Sequence, residues 1–414
     1  MGNASEDFAP VWAAGFMSGT SLDAVDAALI RTDGERVLEF GPVAERRYTQ
    51  GERAILQDAT RAAREWGWQG PRPDRAFAGA LEVITRTHAE AFDQLMKDWD
   101  GPAPALAGVH GQTVLHRRPM GDVPGATLQL LDAPALQEAL GVSLRHDFRS
   151  DDVAAGGQGA PLAPAYHGAL MAGLGKAPMA VLNLGGVANI TLRFSDGGLL
   201  AFDTGPANGP IDEWVEGHDR GRLDEHGRFA RAGTVHEGLM AQLFEHPFFV
   251  EAPPKSLDRF DFNANMARGL TFEDGAATLT AFSARAVAFA IEHLPEKPAR
   301  LIACGGGRHN PALMDALREA VPCPVATAED VGWRGDSIEA QAFALLAVRS
   351  LRGLAISWPG TTGVPRPLTG GRPAEEKARG PTTCGPCEFD DEQAGFRTQP
   401  GEPGDSRAVR DGRP

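Results

Sequence analysis

Asp203 closes an apolar run in Phe202-Asp203-Thr204-Gly205-Pro206-Ala207-Asn208, just before a Gly-Pro turn. A carboxylate held at a strand end can act as a general base if its neighbours keep it ionised. An Asp that caps the turn through its own backbone is the competing reading, and on turn preference alone the stronger one. Arg149, in Asp147-Phe148-Arg149-Ser150-Asp151-Asp152, can contact a carboxylate or phosphate through its planar fork, or make a plain surface ion pair. The run Ala154 to Leu162 that follows is too rich in glycine for a strand or helix and reads as a loop. Three glycine-bearing bends could approach phosphates or a nucleoside. In Ser18-Gly19-Thr20-Ser21-Leu22-Asp23, hydroxyls and N–H groups offer donors, and Asp23 can orient a hydrated Mg2+. No Gly-Lys-Ser/Thr follows, so this is not a Walker A loop. Gly185-Gly186 and Gly305-Gly306-Gly307 each end an apolar run; singly they are weak signals, because glycine is abundant in this chain. His110 and His116 lack a ligand set at metal spacing, so a polar loop histidine is the better reading and no metal ligands are assigned.

These residues need elements to position them. Val11 to Phe16 and Val25 to Ile30 read as buried strands on either side of the first bend. Met179 to Leu184 and Ala188 to Leu192 repeat that layout around Gly185-Gly186, and Leu301 to Cys304 followed by Gly305-Gly306-Gly307 reads as a weaker third instance. Leu106 to Val109 is a short strand candidate that runs into His110-Gly111-Gln112-Thr113. Helical spacing covers 76–99, Ala135 to Leu140, Thr278 to Ile291 and Ser337 to Leu351.

The 414 residues and 42% hydrophobic content suffice for two or three domains with sizeable cores. A formal charge of −15 without a Lys/Arg block argues against a nucleic-acid partner. Four cysteines are too few for a disulfide scaffold, which fits a reducing compartment. Cys384-Gly385-Pro386-Cys387 has redox spacing but no strand–helix setting to lower a thiolate pKa. No apolar run reaches membrane-span length, and no basic region precedes the first apolar stretch, so a cytoplasmic location is the expectation. From 372 to 414, Gly, Pro and charge dominate, which reads as a disordered tail.

Taken in order, the blocks Phe16 to Asp23, His110 to Thr113, Asp147 to Arg149, Gly156 to Leu162, Asn183 to Gly186, Phe202 to Pro206 and Gly305 to Gly307 resemble the signature of the anhydro-N-acetylmuramic acid kinase family. The resemblance runs from about residue 13 to 371 and includes Pro359-Gly360-Thr361-Thr362-Gly363. It implies an α/β fold of two actin-like (ribonuclease H-like) domains with a nucleotide cleft between them. By that resemblance, domain I is 1–150 plus 338–371 and domain II is 151–337. It further implies ATP and Mg2+ as cofactors, a homodimer, and a place in peptidoglycan recycling. The implied reaction opens 1,6-anhydro-N-acetylmuramic acid with water and phosphorylates O6. The family's ATP segment falls on Gly19, Thr20, Ser21, Leu22, Asp23, Ala24, Val25 and Asp26, with Gly185 and Gly186 as a second phosphate loop. Its catalytic aspartate falls on Asp203 and a substrate-pocket glutamate on Glu339; Arg149, from its own chemistry, is the other candidate substrate contact. Two departures stand out: Ala24 and Ala207 occupy positions where the family usually has glycine, and a Cβ there is unfavourable if φ is positive. A kinase of the same fold acting on another sugar, and a nucleotide-binding module without catalysis, are the alternatives.

Overall fold

The computed structural model describes residues 8–257 and 261–374. Its strands are β1 Val11–Ser18, β2 Ala24–Thr32, β3 Val37–Arg47, β4 Leu106–Arg117, β5 Ala126–Leu130, β6 Leu144–His146, β7 Met179–Leu184, β8 Val187–Arg193, β9 Leu199–Pro206, β10 Leu301–Cys304, β11 Val325–Thr327 and β12 Arg372–Pro373. They form two sheets. The first has the order β12-β6-β4-β1-β2-β3, with β5 paired to β4; the second has the order β11-β10-β7-β8-β9.

Both sheets are built the same way. An antiparallel meander comes first, β1-β2-β3 in one sheet and β7-β8-β9 in the other. A strand then returns parallel to the first member, β4 beside β1 and β10 beside β7, and a further parallel strand follows, β6 and β11. This is the duplicated actin-like α/β layout. Leu301–Cys304 is therefore not a third strand-bend-strand unit. It is the counterpart of β4, and the chain leaves it through a 3-10 turn into the helix Pro311–Ala320.

The central strands are buried on both faces, so β1 and β10 read as continuous small or apolar runs. β3, at the sheet edge, alternates exposed and covered residues and tolerates Pro42 there. The helix Ile338–Leu351, buried along ten of its residues, lies across β1 and β4. Two glycines permit that approach. A Cβ on Gly15 would stand 2.0 Å from the Ala340 carbonyl oxygen, and one on Gly108 2.0 Å from that of Phe343. The helix thereby presents Glu339, at its first turn, to the space between the sheets. The helix Pro164–Leu174 packs on the same core, where the Tyr166 hydroxyl donates to Gln341 Oε1 at 2.8 Å.

Three differences from the sequence reading concern this layer. β4 runs for twelve residues, so His110 to Thr113 lie within a strand and not in a loop after it. The helix expected from 76 spans Asp74–Met96, and that expected from 278 spans Phe272–Glu292. Residues 372–374, expected to belong to a tail, are part of the fold: Arg372–Pro373 pairs antiparallel with β6, Arg372 bonds to Asp151 at 2.8 Å, and Ala374 is buried. Backbone pairing with an open strand supplies what side-chain hydrophobicity lacks there. The rest of that segment, with Cys384 and Cys387, lies outside the described residues.

Candidate active site

The first bend is held from below. Ser18 Oγ donates to Gln112 Oε1 at 2.6 Å and shares a hydrogen bond with the Tyr48 hydroxyl at 2.8 Å, while Gln112 Nε2 donates to the Gly19 carbonyl at 3.2 Å. Leu22 turns at φ 57° and buries its side chain, leaving Thr20, Ser21 and Asp23 exposed. Arg53 donates to the Ser21 carbonyl at 3.0 Å and stands 3.3 Å from the Asp23 carboxylate. Ala24 begins β2, where extended backbone accepts a Cβ at no cost.

The second bend meets the start of the helix Asn208–Gly217. The Gly186 carbonyl accepts from the Ala207 and Gly209 N–H groups at 3.0 and 3.1 Å, and the Gly185 carbonyl from that of Asn208 at 2.9 Å. Ala207 has φ −125°, outside the left-handed region, so neither departure from glycine forces a positive φ on an alanine.

Asp203 lies on β9 directly opposite Asn189. Its carboxylate accepts the Leu257 N–H at 2.7 Å, and its own N–H donates to the Lys255 carbonyl at 3.0 Å. The bond to Leu257 crosses to another segment, which displaces the self-capping alternative. Burial pushes the Asp203 carboxyl up to about 6, against the Leu257 N–H and the Arg118 charge, which both pull it down.

Arg149 is not a surface ion pair. Its Nε donates to His110 Nε2 at 3.0 Å and its Nη1 to the Gly159 carbonyl at 3.2 Å. His110 is buried in β4, and burial together with the adjoining guanidinium holds its pKa well below the usual imidazole range. A neutral imidazole is what that bond requires, since only a deprotonated Nε2 can accept from arginine. Desolvation lowers Arg149 itself to about 10, with Glu339 and Asp152 opposing.

A cavity of about 450 Å3 gathers Asp26, Arg149, Asn183, Gly185, Gly306 and Glu339 on its wall. Glu339 is open to the cavity yet surrounded by protein, which raises its carboxyl despite the Arg149 charge. Desolvation and the acids Glu45, Glu339 and Asp336 push Asp26 up to about 6. So six of the residues singled out in the sequence meet here: Asp26, Arg149, Gly185, Gly305, Gly306 and Glu339. Asp203 is not on this wall, although Asn189, its partner across the strands, is. Of the first bend, Asp23 and Ala24 line a different hollow of about 450 Å3, with Arg47, Arg53 and Arg222. A larger hollow, about 740 Å3, lies among helices of the second lobe and contains none of these residues. Convergent polar groups, not volume, mark the smaller cavity as the site.

The backbone turns tightly at Gly305 against β7. Its φ is 75°, and a Cβ would fall 2.3 Å from Asn183 Oδ1, whereas Gly306 beside it faces open space. Sequence reasoning missed the supporting residues: Gln112 under the first bend, His110 under Arg149, and Arg118, Gln158 and Ser256 near Asp203. The first two lay inside a recognised block, His110 to Thr113, and Gln158 inside another, Gly156 to Leu162; nothing local marked Arg118 or Ser256.

Comparison with known proteins places these residues in a family. The model of anhydro-N-acetylmuramic acid kinase matches residues 12–373. The anhydro-N-acetylmuramic acid kinase of Rhizobium rhizogenes is 51% identical over 371 residues, covering 88% of this chain and 100% of the relative. That of Phenylobacterium zucineum is 51% identical over 366 residues, covering 86% and 98%. Among solved structures, (R)-2-hydroxyglutaryl-CoA dehydratase component A of Acidaminococcus fermentans covers 83% of this chain at 13% identity and a TM-score of 0.40, a likeness too slight to carry an argument.

Proposed function

The chain belongs to the anhydro-N-acetylmuramic acid kinase family, and we propose that it opens 1,6-anhydro-N-acetylmuramic acid hydrolytically and phosphorylates O6, yielding N-acetylmuramic acid 6-phosphate during recycling of cell-wall sugar. The observation that carries the mechanism is Asp203: a half-buried carboxylate raised to about 6, fixed by one backbone donor, on the strand next to the Asn189 that faces the cavity. A base with a pKa near the working pH is effective because it is largely ionised yet still holds a proton usefully.

Asp203 takes a proton from water as the water oxygen bonds to C1. The C1–O6 bond breaks, and the electron pair on O6 is taken by the γ-phosphorus of ATP as the β,γ-bridging bond breaks, leaving ADP. Ordinary inverting glycoside hydrolysis needs a second carboxylic acid to protonate the leaving oxygen; phosphoryl capture removes that need. Arg149, aimed by neutral His110, and Glu339 fit the sugar's polar groups. The bends at Gly19 to Asp26 and Gly185-Gly186 offer N–H donors to the phosphates, and Gly305 to Gly307 fit the adenosine.

When bound, Mg2+ neutralises phosphate charge in the transition state. Among the described residues no three His, Cys, Asp or Glu side chains converge for a metal, so the ion would be held by phosphate oxygens and one carboxylate, Asp23 or Asp26. Asp26 suits it, since neighbouring acids already disfavour its charge and a cation would relieve them. We further propose a cytoplasmic homodimer in which 1–150 plus 338–371 closes over 151–337. Light scattering of the intact chain at 43.9 kDa per protomer tests the dimer. No helix among the described residues is long and apolar enough to cross a membrane.

Phosphorus NMR of product formed from ATP and the anhydro sugar in ¹⁸O water tests the reaction. Label at C1 with phosphate on O6 is the expected result; label on the phosphate would overturn it.

A further inference from the structure

The segment that serves Asp203 is itself tied across the molecule. Lys255 and Leu257 bond to Asp203 through their backbone, while Ser256 between them turns the other way. Its Oγ accepts Arg118 Nη1 at 2.9 Å and donates to Gln158 Oε1 at 3.1 Å, and the same Arg118 nitrogen reaches the Ser256 carbonyl at 3.4 Å. Arg118 directly follows β4 of the first sheet, whereas Asp203 belongs to β9 of the second. Gln158 is anchored by its own N–H to the Thr362 carbonyl at 2.7 Å. Arg118 is otherwise an exposed residue in a hairpin connection, so its reach to Ser256 serves no core packing.

We propose that Arg118 and Ser256 are positioning residues for Asp203: the Arg118–Ser256–Gln158 bridge fixes the segment that supplies the Leu257 N–H, so the carboxylate is aimed only when the first-sheet hairpin is docked against the second lobe. This rests on the reading of Asp203 as the base. Activation of water at C1 is thereby tied to the meeting of the two lobes. Charge works in the same direction, since Arg118 also favours the ionised carboxylate. Among the described residues, the charged or titratable groups around this bridge include Lys255, Glu251 and His116, with Arg149 and Asp152 bonded to Gly159 beside Gln158. The Lys255 ammonium is turned onto the Phe248 carbonyl at 2.6 Å, Glu251 faces Lys255, and His116 sits by the Gln158 backbone.

The test compares kcat against pH, and KM for ATP and anhydro sugar, in full-length wild type, Arg118→Ala, Arg118→Lys, Ser256→Ala and Asp203→Asn. Arg118→Ala is expected to lower kcat roughly tenfold and to move the acid limb up by about half a pH unit, with KM for ATP within about twofold. Arg118→Lys should restore the limb, and Ser256→Ala should lower kcat with a smaller movement because the guanidinium remains. The bridge is refuted if Arg118→Ala leaves kcat and the limb unchanged, if it lowers kcat equally at all pH values, or if lysine rescues nothing. Asp203→Asn separates the two ideas. An active Asn variant removes the base, whereas a dead one beside an unmoved Arg118→Ala limb removes only the bridge. Arg118 is exposed, so loss of folding is not the expected cause of any defect.

Discussion

The carboxylate of Asp203 carries two consequences of opposite sign. Its pKa near 6 makes activity fall as pH drops through that value, so kcat should show an acid limb near pH 6. For stability the direction reverses. A carboxyl raised in the fold binds its proton more tightly there than in the unfolded chain, so ionising it costs stability, beginning above the ordinary carboxyl pKa and complete above about 6. Asp203→Asn keeps an oxygen to accept the Leu257 N–H and loses the buried charge. It should therefore cut turnover about 10²–10⁴-fold while leaving the melting temperature at pH 7.5 equal or higher. Retention of a tenth of wild-type turnover, or a clear fall in melting temperature, would count against both readings. His110 differs in kind: buried and already neutral, it should not contribute a limb in the physiological range, and its role is to hold the Arg149 fork.

Among the elements, the helix Ile338–Leu351 decides where Glu339 sits, and the contact of backbone on backbone at Gly15 and Gly108 decides where the helix sits. Gly108→Ala would put a methyl group 2.0 Å from the Phe343 oxygen, and strain of that kind costs at least about 1–3 kcal/mol. Chemical denaturation should show that loss, and KM for the sugar should rise as Glu339 shifts. Gly306 is the contrasting case. A Cβ there meets nothing within 4 Å, so Gly306→Ala should leave stability unchanged while raising KM for ATP severalfold, as a methyl group enters the space assigned to the nucleoside. If KM for ATP is unaltered, the nucleoside lies elsewhere. Both glycines belong to apolar strand ends in the sequence, and only the structure separates the one that packs from the one that faces a cavity.

For the whole molecule, two sheets of one design face a shared cavity, and the residues that meet there come from positions as distant as 26, 149, 185 and 339. Much of this was legible in advance. The strand-bend-strand units at 11–30 and 179–192 stand out because buried strands need continuous apolar residues and bends need glycine or short polar ones, which are local rules. The order of the signature blocks identified the family before any fold was known. Non-local facts were hidden. His110 looked like a loop polar residue because nothing nearby shows that β4 continues through it as a central strand, and the bend after β10 looked like a third repeat because a buried run does not show which strand it pairs with. The residues around 372 looked unable to fold because their stability comes from the open edge of β6 and not from their own side chains. Sequence alone thus determined the element types and the chemical groups available, since these depend on each segment's own composition. Tertiary structure decided which groups share a space, which arginine is aimed by which histidine, and which strand lies beside which, because burial and alignment depend on neighbours far off in the chain.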